Sequence, residues 1–526
     1  MKITLQRGIG AALAAGAVTA LAAGPALAGK PGTTDSMSPS TSTPPYVLPV
    51  APGVRTTSML TVGEDVDGYR MVGIPDGLGA YRNDGNSLTL LMNHELRDTQ
   101  GVTRRHGQAG AFVSEWSIDR KTLEVTRGED LIDPGIQYWD YLQSQYSLTP
   151  NGAGTRADGK VFQSFGPTLN RFCSNTLSDP GQLLNRKTGN GYDGQLFFPN
   201  EESGDRGRGF ALTMDGQLYQ LPRIGLFSWE NTIPAPNRSD TTLVMGQEDG
   251  GEGQVWFYKG TKTSSGSPID RAGLTNGSNF VATVAGATND KKFRELGKNK
   301  PQRFTSSEVG WDQEGGPQNA EAKAKGITLN RVEDGHFDPS NPNDFYFLTT
   351  EGGKGADTPT NFYGRDGGGL WRMRFDDIEN PQLGGTLTLL LDGSEAPHLN
   401  KPDNMTIDGN GNMLIQEDPG NNVSVARIVA YRIADGARGV VAQFDPKLFK
   451  WNGGTLPNGD PVVEPGQITL DEESSGIIDA HSTIGPRWFL LDAQVHKANP
   501  DPELVEEGQL LALHVDRWKD VYDIEG

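Results

Sequence analysis

Residues 401–418 read KPDNMTIDGNGNMLIQED. Two short apolar runs flank a turn built from Asp, Gly and Asn, the residues that tolerate the backbone angles of a tight hairpin. The second run does not end in a turn former. It ends in two carboxylates, Glu417 and Asp418. The same grammar recurs along the chain. LTLLMNHE ends at Glu95, QLFFPNEE at Glu201 and Glu202, and LVMGQED at Glu248 and Asp249. ITLNRVED ends at Glu333 and Asp334, FYFLTTE at Glu351, and WFLLD at Asp492. Runs that are apolar at successive positions, not alternate ones, mark strands covered on both faces.

Further hairpin signals stand at 82–87 (RNDGNS), 213–218 (TMDGQL) and 338–346 (DPSNPNDFY). Runs such as LWRMRFD, RIVAYRIA, VWFYKG and LLALHVD supply outer strands. Repeated hairpins with irregular insertions predict an all-β chain, a β-propeller of six blades with loop and short helical insertions. The helical candidates are 320–326, closed by Gly326, and 133–147. In a propeller the innermost strands share one axis, so acids at their ends meet at one mouth of the channel. Crowded carboxylates repel or take up protons. Hard cations relieve both, and calcium accepts many oxygen ligands. A site for several metal ions follows.

Composition narrows the function. The chain has 526 residues, with 69 Gly and 33 Pro, which suits many short strands. Lys2 and Arg7 precede an apolar stretch at 9–23, and Ala26-Leu27-Ala28 fits a cleavage site. Residues 1–28 therefore read as a signal peptide of an exported protein, periplasmic or extracellular. Residues 29–48 read as a disordered leader and 49–526 as a single propeller domain. One cysteine, Cys173, excludes an intramolecular disulfide. The net charge of −20 argues against nucleic-acid and membrane partners and suits a cation-binding monomer.

In order, the segments resemble the secreted PhoX-type alkaline phosphatases. MNHE (92–95) is similar to that family's N-H-E, LNRFCSN to its cysteine motif, and LFFPNEE to the strand that follows. AKAKGITLNRVEDG, with Arg331 and Glu333, is similar to its R-P-E region. HFDPSNPNDFYFLTT resembles its D-P strand, KPDNMTIDGNGNMLIQED its P-D-N segment, and FLLDAQVH its strand ending in histidine. The likeness spans about residues 50–515. It implies a six-bladed propeller holding calcium and iron, which hydrolyses small phosphate monoesters. Cys173 and Glu333 fall at iron-ligand positions, and Glu95, Glu201 and Glu202 at metal positions. Asp403, Glu417 and Asp418 are further contributors, and Arg331 contacts phosphate. Val332 replaces the family's proline. Gln254 and Val255 stand where an acid is sought, with Glu248, Asp249 or Glu252 nearby as substitutes.

Individual residues carry alternatives. Cys173 is either a buried small hydrophobe or a soft thiolate ligand. Arg331 and Glu333, two apart on a strand, face the same side and serve either a phosphate site or a plain ion pair. His496 is a candidate acid or substrate contact, whereas His94 points away from Glu95. The acidic, single-cysteine chain is thus read as a metal-dependent phosphomonoesterase. The alternatives are a calcium-stabilised propeller that binds a glycan, matrix or protein partner, or a lactonase- or phytase-like hydrolase on the same scaffold.

Overall fold

The computed structural model describes residues 32–354, 365–420, 424–455 and 462–523. The strands form six blades around one axis. Blade 1 runs outward from Pro75–Arg82 through Ser87–His94 and Phe112–Asp119 to Val125–Asp130. Blade 2 is irregular. Residues 172–177 bridge to 197–201, and Leu196–Phe197, Phe210–Thr213 and Leu218–Gln220 lie outside them. Blade 3 begins at Trp229–Pro234, blade 4 at Val332–Asp338, blade 5 at Pro402–Ile407 and blade 6 at Glu472–Asp479. Gln302–Val309 pairs with Gly385–Leu391 and joins blades 3 and 4 into one nine-stranded sheet.

The ring closes through the early chain. Val54–Thr61 pairs antiparallel with Glu506–Val515, the third strand of blade 6. The core confirms the count of six. It is not one mass: its six largest clusters each lie between two neighbouring blades, and two small ones lie apart from them. Leu91 and Val113 meet Phe197 and Leu212 between blades 1 and 2. Phe198 meets Trp229 and Trp256 between blades 2 and 3. Phe257 meets Phe345 and Trp371 between blades 3 and 4. Leu348 meets Met405 and Val429 between blades 4 and 5. Ile428 meets Phe489 and Leu511 between blades 5 and 6. Leu490 meets Leu78 and Trp116 between blades 6 and 1. A blade wedged between two such clusters is apolar on both faces, which is why Ser87–His94 and Thr241–Glu248 are buried at every residue after the first.

Three expectations are corrected. The span 29–48 is not a disordered leader throughout. Thr34–Met37 pairs with Val54–Thr61, and Val47–Pro49 pairs with Arg438–Phe444. Backbone pairing to existing sheet edges orders a segment whose side chains carry little hydrophobic signal. Residues 133–147 are not helical. They hold a small hairpin, Tyr138–Asp140 with Gln145–Ser147, because the aromatic spacing serves packing of Trp139 on Tyr146 and Trp311. The acid-tipped strands are mostly second strands of their blades, not the innermost ones. Ser87–His94, Thr241–Glu248 and Asn412–Glu417 each pair outside an inner strand. The helix read at 320–326 is present as the C-terminal part of Gly315–Lys325, ending at Gly326. The signal segment 1–28 lies outside the described residues. Among those residues no helix is long and apolar enough to cross a membrane.

Candidate metal centre

Each blade contributes one ligand-type side chain from the start of its inner edge. Asp76, Glu230, Glu333, Asp403 and Glu473 are each the second residue of their inner strand. In blade 2, Cys173 takes the same place, directly after the Phe172 bridge. Strand pairing alone would send alternate side chains away from the axis. Four of these strands instead carry a bulge over this position: between Pro75 and Leu78, Trp229 and Thr232, Val332 and Gly335, and Pro402 and Met405. A bulge frees residues from the ladder and re-aims a side chain. Backbone strain marks the entry to the same strands. Ile74, Arg171, Arg331 and Lys401 all have φ between 47° and 55°, and each stands two residues before a ring member. Left-handed backbone at a non-glycine residue costs on the order of 1–2 kcal/mol, and such outliers gather at functional sites.

A second tier comes from the acid pairs at the ends of outer strands. In each pair the two members part company, because adjacent residues of a strand face opposite sides. Glu202 faces the axis and accepts from Arg171 at 2.6 Å, while Glu201 is locked in a buried pair with Arg208. Asp249 faces the axis and holds Arg331 at 2.9 Å on both prongs, while Glu248 accepts from Trp256 Nε1 at 3.0 Å. Asp418 acts on Glu333, Asp403 and Glu473, while Glu417 is committed to Arg427 and the Asn400 amide. Glu201, Glu248 and Glu417 are therefore removed from the predicted ligand set. Each is a buried carboxyl group already held by a structural partner.

The remaining groups form one continuous array. Ligand atoms of Asp76, Glu95 and Cys173 lie within 4.8 Å of one another, as do those of Cys173, Glu202 and Glu230, and those of Glu230, Glu333 and Asp403. Cys173 and Glu230 are each shared by two of these trios. The Cys173 thiol donates to Glu230 Oε2 at 3.0 Å. Asn404 stands among them, donating to Asp403 at 2.7 Å and Glu230 at 3.3 Å. Ser475 donates to Asp76 at 2.8 Å, and Gln494 donates to Asp76 and Glu95. Thr350 donates to Glu333.

The electrostatics are those of a cage built for positive charge. Burial, then the like charges of Glu95 and Glu473, raises the Asp76 carboxyl. Burial, with Glu333 and Asp76 next, raises Glu230. Burial and Asp249 raise Glu333, against the pull of Arg331. Asp403 and Glu202 are raised chiefly by burial. Burial also pushes the Cys173 thiol up, with Asp76 and Glu230 adding to it. Glu95 is the exception. Burial would raise it, but the Arg171 guanidinium outweighs that and holds it low. Beside the ring, both carboxylate oxygens of the buried Asp492 have no partner among the described residues, and burial raises this group too. Carboxylates held this close fit cations with oxygen-rich shells, and a thiolate among them adds a soft donor.

Three basic groups rim the array. Arg171 bridges Glu95 and Glu202, Arg331 bridges Asp249 and Glu333, and Lys401 donates to the Pro419 carbonyl at 3.1 Å. His496 stands between Glu506 at 2.8 Å and Glu473 at 3.6 Å. Burial favours its neutral ring, but the two carboxylates prevail and raise it well above the usual histidine range. His94 is a core imidazole. It stacks on Phe112 at 4.2 Å and bonds Ser114.

The structure thus brings together Glu95, Cys173, Glu202, Asp249, Glu333, Asp403, Asp418, Arg331 and His496 from the sequence reading. That reading missed Asp76, Glu230 and Glu473. A local signal existed: each ring residue is followed by a small or polar residue, as in Asp76-Gly77, Cys173-Ser174, Glu230-Asn231, Glu333-Asp334, Asp403-Asn404 and Glu473-Ser474. Glu230 lies among the clustered carboxylates, whereas Gln254, where an acid is sought, packs against Gly326.

No family model matches the chain, and no curated protein matches its sequence. Among solved structures, Pseudomonas fluorescens PhoX in complex with vanadate, a transition state analogue, aligns with a TM-score of 0.58. Identity is 12%, and the alignment covers 89% of this chain and 96% of that chain. The NanB sialidase of Streptococcus pneumoniae gives a TM-score of 0.36 at 7% identity, over 88% and 70% of the two chains. A luciferin-regenerating enzyme gives 0.29 at 12%, over 84% and 92%. The first likeness is one of fold: this chain has a PhoX-like fold.

Proposed function

We propose that this protein is a metal-dependent hydrolase of small phosphate monoesters, acting outside the cytoplasm. One observation carries the reading. Eight ligand-type side chains, Asp76, Glu95, Cys173, Glu202, Glu230, Glu333, Asp403 and Glu473, converge on one channel mouth, which two arginines rim. The ring would hold the cations, calcium among the carboxylates and iron beside Cys173 and Glu333. Bound cations would supply Lewis-acid charge to phosphate oxygens and acidify water at the site.

The chain's own groups do the rest. Asp249 grips Arg331 along one edge, so the guanidinium is held rigid while its side chain stays 29% exposed. It is placed to pair with phosphate oxygens and to stabilise charge that grows on them. Arg171, 34% exposed and braced by Glu95 and Glu202, offers a second fork from the opposite flank. His496, held charged by Glu473 and Glu506, is placed to give a proton to a departing alkoxide. An acidic protein can thereby receive a dianion, because the acids are consumed in holding cations and guanidinium groups.

The test is hydrolysis of p-nitrophenyl phosphate with added calcium, alongside elemental analysis of protein purified without chelator. The reading expects bound metal and turnover that falls about a hundredfold in Arg331→Ala. Loss of turnover in Glu333→Ala with secretion intact would agree. Unchanged turnover in either variant, or metal-free protein with full activity, refutes it.

A further inference from the structure

The second strands of the blades repeat a pattern beside the channel. In five of the six, the residue just before the partner of the inner strand's first residue is an amide: Asn93, Asn200, Gln247, Gln416 and Gln494. Asn93, Asn200 and Gln416 donate to main-chain carbonyls of the next blade's inner edge, those of Cys173, Glu230 and Ser475. Two residues before that position, on the same face of the strand, blades 1 to 5 carry a large apolar side chain. Leu91, Phe198, Met245, Tyr346 and Leu414 fill this place, and each packs in the cluster between its own blade and the next.

Blade 6 breaks the pattern at one residue. Asp492 stands where the other five blades pack an apolar side chain. It is fully buried, and neither carboxylate oxygen has a hydrogen-bond partner among the described residues. The charges that act on it, Asp76 and Glu473, are of its own sign. Protonation would remove its charge and still leave at least one oxygen without a donor. The backbone beside it is shaped for a close approach of oxygens. Gly476 has φ 61°, and a Cβ there would stand 2.5 Å from Asp492 Oδ2 and 2.9 Å from the Asp76 main-chain oxygen. Only glycine lets those two oxygens crowd the same stretch of strand. The Asp76 carbonyl lies within the bulge between Pro75 and Leu78, outside the regular ladder. Gln494 departs from its equivalents in the same direction. It donates to the carboxylates of Asp76 at 3.1 Å and Glu95 at 3.3 Å, and its Oε1 has no partner among the described residues.

We propose that Asp492 anchors a separate calcium ion between blades 6 and 1, shared with the Asp76 main-chain oxygen and the Gln494 amide oxygen. The donors are carboxylate, main-chain carbonyl and amide oxygens, the mixture that calcium takes. The carboxylates of Asp492 and Asp76 balance its charge. The ion ties blade 6 to blade 1 where the circle of blades closes, a place that an apolar contact fills between the other blades. The inference rests on the reading of the neighbouring array as a cation cage, and not on its phosphate chemistry.

The probe is calcium alone, returned to chelator-treated full-length protein and counted per chain by equilibrium dialysis. Asp492→Asn, which keeps the shape of the side chain, should bind one calcium fewer than wild type and retain the rest. Asp492→Leu, the side chain that blades 1 and 5 carry at this position, should show the same loss. Without calcium the leucine variant should melt above wild type, because an unpaired buried carboxylate is gone. With calcium the order should reverse, because the bound ion stabilises only wild type at this place. An equal calcium count in wild type and both variants overturns the proposal. So does a melting point lowered by the same amount with and without calcium, which makes Asp492 a packing residue. Loss of every ion at once also overturns it, since Asp492 would then serve the ring and not a separate site. The failures are distinguishable: wild type that binds no calcium fells the cage reading too, whereas wild type that binds calcium no better than the variants fells this site alone.

Discussion

Glu230→Gln isolates the central claim that the ring is shaped for cations. Glu230 is shared by two ligand trios whose atoms lie within 4.8 Å. Glutamine keeps its shape and one accepting oxygen for Asn404, turns its amide nitrogen toward the Cys173 sulfur, and removes the charge. At an effective dielectric constant near 20, two unit charges 4.8 Å apart repel by about 3.5 kcal/mol. The ring can avoid that cost only by retaining protons, at about 1.4 kcal/mol for each pH unit above the ordinary carboxylate value. At pH 8 retaining the proton costs about 5 kcal/mol, so the cheaper route, repulsion, leaves about 3.5 kcal/mol to be recovered by the substitution. Unfolding entropy for a chain this long is about 1 kcal/mol per degree, so the chelator-treated variant should melt about 3 °C above chelator-treated wild type. With calcium and iron present the order should reverse, because a ligand is lost and a bound ion stabilises by mass action. Differential scanning calorimetry with and without chelator measures both. If Glu230→Gln lowers the melting temperature equally in both states, Glu230 is a structural hydrogen-bonding residue and the cage argument fails.

Chelation of wild type carries a pH signature. The ring carboxylates have raised values in the folded state, so folding retains protons. The stability they contribute is complete below the ordinary carboxylate range and declines as pH rises. Chelated protein should therefore melt lower at pH 8 than at pH 6, and metal should abolish the difference in a thermal-shift series. Glu248 lies outside the ring and is raised from 4.5 to about 7, mainly by burial. Glu248→Gln should match wild type below pH 4.5 and exceed it by about 3 kcal/mol above pH 7, read from urea midpoints. The adjacent pair Glu201 and Glu202 should divide cleanly. Glu201→Gln strips the buried Arg208 of its anion and should cost about 3–5 kcal/mol, while Glu202→Gln should spare folding and weaken cation binding, both measured by denaturation and metal titration.

Much of the architecture was legible locally. Continuous apolar runs announced strands buried on both faces, and the six clusters between blades explain why that signal was strong. The acids at the ends of those runs pointed to a shared mouth, and seven of the ten proposed metal ligands lie there. What misled was parity. Glu201 and Glu202 look equivalent in the chain, as do Glu248 with Asp249 and Glu417 with Asp418. Only strand register decides that the first of each pair turns to an internal partner and the second to the axis. Asp76, Glu230 and Glu473 had no apolar run before them and so no signal of that kind. They begin inner strands, and bulges aim at least two of them.

Residue order along the chain determined that this protein would be a ring of hairpins with acidic tips, because burial and turn chemistry act over a few neighbouring residues. The tertiary structure alone decided which carboxylates share a cavity. Ring closure brings Asp76 close to Cys173 and Glu230 close to Glu333 and Asp403 across roughly a hundred to a hundred and seventy residues of sequence, and it sets Glu473 beside them from the far end of the chain. Proximity of that kind depends on how many blades close the circle and at what register. No local pattern of amino acids encodes it.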